Sequence, residues 1–100
     1  QIDPQPPLGV SVRELDRAFM ARLEVPNTIE GVIVSRVETT GAAHQVLRRG
    51  YVILEVNRQP TPTVAEFQRI VAAARPGDIL AIYYYDPTRA ERSLATVIVD

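Results

Sequence analysis

Gly31-Val32-Ile33-Val34-Ser35-Arg36-Val37-Glu38 is followed by Leu47-Arg48-Arg49-Gly50, Tyr51-Val52-Ile53-Leu54-Glu55-Val56-Asn57 and Thr63-Val64-Ala65-Glu66-Phe67. The first and third blocks are dense in β-branched residues, which suit a pleated, half-buried surface, so each predicts a strand. Gly50 breaks the chain before the second strand, and Asn57-Arg58-Gln59-Pro60 turns it afterwards. Thr63 and Glu66 form a capping-box pattern, which starts a helix. Val64, Phe67, Ile70, Val71 and Ala74 recur along one helical face, and Pro76-Gly77 ends it.

Outward from this centre, Leu8-Gly9-Val10-Ser11-Val12 alternates as a short strand. Arg13 to Leu23 reads as an amphipathic helix carrying Leu15, Ala18, Phe19 and Leu23, closed by Pro26-Asn27. Ala42 to Leu47 predicts a short helix after Thr39-Thr40-Gly41. On the C-terminal side, Ile79 to Tyr85 and Ser93 to Val99 predict a hairpin about Asp86-Pro87-Thr88-Arg89. Alternation sets Tyr83 and Tyr85 on one sheet face and Tyr84 on the other. No βαβ unit repeats. The fold class is α+β, mostly β: five to six short strands in a partly open barrel or sandwich, capped by two main helices.

These blocks, in this order, resemble PDZ domains of the bacterial HtrA/DegP-type serine protease family. The Gly31 strand is similar to the family's GVVVxxVE. Ala42-Ala43 with Leu47-Arg48-Arg49-Gly50 falls at its PAAxAGLRxGD, and Val52 to Asn57 at its VILEVNG. Thr63-Val64 with Phe67 matches its second helix, and Pro76-Gly77-Asp78 its PGD. The resemblance runs from Leu8 to Val99. The helix before Gly31, ending at Leu23-Glu24-Val25-Pro26, looks like that of the protease-linked members, with Glu24 for Gly. Tyr51 stands for the usual Asp, Val46 for Gly and Gly41 for Pro. A β-branched Val is strained at φ > 0, so the turn at Val46 differs from the family's.

The resemblance implies a bacterial, circularly permuted strand order, a linker over 1–7 and a PDZ domain over 8–100. It implies capture of C-terminal tails or extended segments by β-augmentation, with no cofactor and no metal. The carboxylate loop would be Leu8, Gly9 and Val10, because Pro7 has no N–H to donate. The augmented edge would be Val10, Ser11, Val12 and Arg13. The groove helix and pocket would be Glu66, Phe67, Ile70, Val71, Ala73 and Ala74, with Ile70 and Ala73 or Ala74 toward the groove and Phe67 near the pocket floor. Partners would be a peptide of a protein substrate and the catalytic domain of a parent serine protease. That places the parent in the periplasm or cell envelope. An assembly domain of secretion type, or a domain of an intramembrane or tail-processing protease, is the alternative.

Composition narrows the other classes. The chain has 100 residues, 46% of them hydrophobic, with a net charge of -1. That suits one globular domain. Every basic residue but His44 is Arg, and Arg48-Arg49 is the longest basic run, which argues against nucleic acid. The absence of Cys excludes disulfides, a thiolate nucleophile and Cys-ligated zinc. No apolar run reaches the ~18 residues of a membrane span. Three prolines among the first seven residues read as a linker, as if the domain were cut from a longer chain.

Isolated chemical signals favour no catalysis. His44, the one His, is expected on an exposed helix position. Ser11, Ser35 and Ser93 lack a nucleophile-elbow context. Glu14 with Asp16, and Asp86 with Glu91, read as solvated charges. Any catalytic residues of a parent protease would lie outside these 100 positions.

Overall fold

The computed structural model describes residues 9–22, 25–26, 29–38, 43–44 and 46–99, with the side chain of Phe19 set aside. Eight elements follow in order: β1 (Val10–Glu14), α1 (Arg17–Arg22), β2 (Val32–Val37), β3 (Val52–Val56), β4 (Gln59–Pro60), α2 (Val64–Ala72), β5 (Ile79–Asp86) and β6 (Glu91–Ile98). The strands form one antiparallel sheet in the order β1-β2-β3-β5-β6, with β4 paired to β3. It is an open sheet: β1 and β6 are its two edges. The predicted partly open α+β architecture with two helices is what forms.

Arg13 and Glu14, at the start of the predicted first helix, end β1 instead, opposite Ile33 and Val32, so that Arg13 takes its expected place on the edge strand. Pairing along the sheet outcompetes a charged stretch with only weak helical periodicity. The helix therefore shortens to the six residues of α1, and Ala18 on its expected apolar stripe is exposed. Between β2 and β3, Ala43, His44 and Val46 form turns rather than a regular helix, and the N–H groups of Val46 and Leu47 both donate to the Ala43 carbonyl. His44 is exposed. The expected Asn57 turn is tighter than its residues suggest. Val56 and Gln59 pair across two residues, Asn57 and Arg58, both left-handed at φ 51° and 67°. Those angles make a two-residue hairpin turn whose twist matches the strands.

The core lies between α2 and one face of the sheet. Val10, Val32, Val34, Ile53, Val56, Leu80, Ile82 and Val97 meet Phe67, Ile70 and Val71 of the helix. Val25, Ile29, Val52 and Tyr85 make a second cluster, with Leu15, Met20 and Leu54 against it. The tyrosines divide by alternation. Tyr85 is buried in the second cluster, while Tyr84 packs on the first and stacks on Tyr51, with ring centroids 4.6 Å apart. Two backbone approaches fix β3. A Cβ on Gly31 would overlap the carbonyl oxygen of Ile53, so β2 enters the sheet only with glycine there. Thr61, fully buried, donates its hydroxyl to that same carbonyl at 3.0 Å, which satisfies an otherwise buried donor.

Candidate functional site

Edge strands expose unpaired N–H and C=O groups, so each edge of an open sheet is a candidate site of strand addition. At the β1 edge the strand pairs, among the described residues, with β2 alone, and α2 lies beside it. The nine residues of α2 and the five of β1 have matching lengths of about 13–17 Å. A five-residue strand and a helix of about two and a half turns thus lie side by side over a length that suits a short extended peptide.

Gly9 opens this edge at φ 71°, in the left-handed region open to glycine at little cost. Its carbonyl accepts from the Glu38 N–H at 2.7 Å, so the N–H is its remaining backbone polar group. Val10 follows, 2% exposed and part of the core. Val12 also packs on the core, whereas Arg13 points outward and is exposed. A bulge falls between Ser11 and Val12, and the Ser35 hydroxyl donates to the Ser11 carbonyl at 3.1 Å. Leu8 lies outside the described residues.

At the far end of the edge stands a side chain that the sequence suggests is merely a solvated charge. Glu14, the last residue of β1, accepts from the Val64 N–H at 2.7 Å, capping the start of α2 across 50 residues of chain. The expected capping box is half formed. Thr63 accepts from the Glu66 N–H at 3.2 Å as predicted, but the Glu66 carboxylate pairs with Arg69 at 2.8 Å instead of reaching back. Glu14 serves one of the helix's free N-terminal donors.

Residues four and seven positions on from Val64 share its face, which carries Gln68 and Val71. Val71 is buried and Gln68 exposed. Ile70, Ala73 and Ala74, expected at the groove, line a recess with Asn57, Gln59, Asp78 and Ile79. Successive positions on a helix are turned from one another by about 100°. Phe67 sits 1% exposed within the core. Glu66 is half-buried and tied to Arg69.

Among the described residues no group of three His, Cys, Asp or Glu is placed to hold a metal ion, and no helix is long and apolar enough to cross a membrane. What the β1 edge offers is backbone hydrogen bonding, a glycine at its mouth and an apolar wall. This is equipment for holding an extended chain.

Comparison with known proteins agrees. The family model described as PDZ domain matches residues 1–83. No curated protein matches. Among solved structures, the HtrA-type protease AlgW with a decapeptide superposes with a TM-score of 0.81 at 28% identity, covering 92% of this chain and 28% of that one. The HtrA3 PDZ domain bound to a phage-derived ligand superposes with a TM-score of 0.73 at 20% identity, covering 92% of this chain and 81% of that one; at that identity the likeness concerns the fold. The chain thus spans little more than a quarter of the AlgW chain it matches.

Proposed function

We propose, from the premise that this chain belongs to the PDZ domain family, that it captures the C-terminal tail of a protein partner as an added strand along β1. The observation that carries the proposal is the unpaired β1 edge lying beside α2, with left-handed Gly9 at its start. The tail's carboxylate meets N–H groups of Leu8, Gly9 and Val10, a nest that needs no charged side chain. Backbone hydrogen bonds to Val10–Arg13 supply affinity with little sequence information. The wall is the Val64, Gln68 and Val71 face of α2, and Val71 together with Val10 favours an apolar last residue.

The wider role is substrate recognition or regulation within a serine protease of the HtrA type, in the periplasm or cell envelope. Support for this comes from the likeness to AlgW, itself solved with a decapeptide, and from the helix α1 between the first two strands.

Fluorescence polarisation with peptides ending in Val, Leu, Phe and Asp tests the proposal. Affinity is expected to be about micromolar, because the peptide loses freedom on ordering and buries little area. Apolar endings should bind better than Asp, and amidation of the terminal carboxylate should weaken binding at least tenfold. Equal binding by all four peptides, or indifference to amidation, would overturn it. An assembly domain that contacts folded partners would show that indifference.

A further inference from the structure

Five of the eleven arginines line two adjoining recesses away from the α2 groove. The first, about 310 Å³, is bounded by Arg13, Arg22 and Arg49 over a floor of Ile33 and Val34. The second, about 410 Å³, is bounded by Arg48, Arg49 and Arg89, with Tyr51 and Pro87 as its apolar side. Arg49 and Gly50 belong to both, so the recesses form one continuous trough. Arg22 is already engaged within the domain. Among the described residues Arg13, Arg48, Arg49 and Arg89 make no ion pair. Among the described residues Asp86 is the one acidic residue lining the trough; it is 8% exposed and accepts from the Thr88 N–H.

We infer that this trough binds an acidic stretch of polypeptide bearing apolar residues, at a second site that meets the β1 edge only at Arg13. The charge is complementary: guanidinium groups fork onto carboxylates in bidentate pairs. The shape and composition select polypeptide over other polyanions. Both recesses are side-chain sized and have apolar floors, which suit a Leu or Val alternating with Glu or Asp. A membrane surface or nucleic acid calls for a large net positive charge, whereas this domain carries -1. Attraction here is therefore local, acting within about a Debye length of 8–10 Å.

The test uses a fluorescein-labelled Glu/Leu peptide, acetylated and C-terminally amidated so that it presents no terminal carboxylate. It is expected to bind this chain, to shift the amide resonances of Ile33, Arg49 and Gly50, and to lose affinity as salt rises. The double variant Arg48→Glu, Arg49→Glu should weaken that binding at least tenfold, with Arg58→Glu as the unchanged control. Thermal melts confirm that both variants fold, as expected for exposed side chains. Tail peptides with free carboxylates should bind the double variant normally, which separates failure here from failure of the β1 reading. No binding of the acidic peptide, shifts confined to Gly9–Val12, equal loss with Arg58→Glu, or stronger binding to phosphatidylglycerol vesicles or single-stranded DNA would each overturn the inference.

Discussion

The two edges of the sheet differ in everything except their unpaired backbone. β6 is the longer, eight residues in unbroken register with β5 from Asp86↔Glu91 to Ile79↔Ile98. It is also the more exposed, with Leu94 at 64% and Ile98 at 61%. β1 is short, bulged between Ser11 and Val12, and buries Val10 and packs Val12 on the core. Yet β1 is the edge we propose for docking, because a helix stands beside it and a glycine opens it. Hydrogen-bonding capacity alone does not make a binding strand. A wall that orders the incoming chain and shields its bonds from water separates recognition from indiscriminate pairing.

The contrast can be broken most strongly through the anchor of that wall. Phe67→Ala, at a fully buried residue of α2, should cost about 3–5 kcal/mol and abolish tail binding, read by urea denaturation and polarisation. Leu94→Ala on the opposite edge should cost under about 1 kcal/mol, as expected for a mostly exposed side chain. Comparable losses would mean that the edges are energetically alike. Next is Gly9→Ala, where a Cβ in the left-handed region costs about 1–2 kcal/mol. Tail affinity should fall at least tenfold while the peptide's preference for a free carboxylate shrinks; unchanged affinity would remove Gly9 from the site. Smallest is Ile98→Lys, a guard charge on the open edge. Stability should stay within about 0.5 kcal/mol and tail affinity unchanged, while light scattering at high concentration falls.

The strands were legible because their β-branched blocks lie between turn residues, as at Val32 to Val37 and Val52 to Val56. The stripe of α2 was legible for the same local reason, and Phe67, Ile70 and Val71 are its buried members. Glu14 falls in β1 rather than in the predicted helix because strand pairing, here with Val32, is decided by residues distant in sequence. The same distance hid Glu14 as a helix cap. Left-handed Arg58 left no signal, since a residue so placed is normally Gly, Asn or Asp. The direction of α2 about its own axis was not readable either. Periodicity names a buried stripe but not which flank borders β1, so it does not by itself assign Ile70, Ala73 and Ala74 to a side.

The bond from Val64 to Glu14 also bears on the order of folding. It joins the end of the first strand to a helix that starts 50 residues later, so it forms only after a long loop closes, at an entropic cost that local contacts do not carry. The hairpin of β5 and β6 needs no such closure. The groove therefore depends on a contact of long sequence separation, which the local pairing of a hairpin cannot supply.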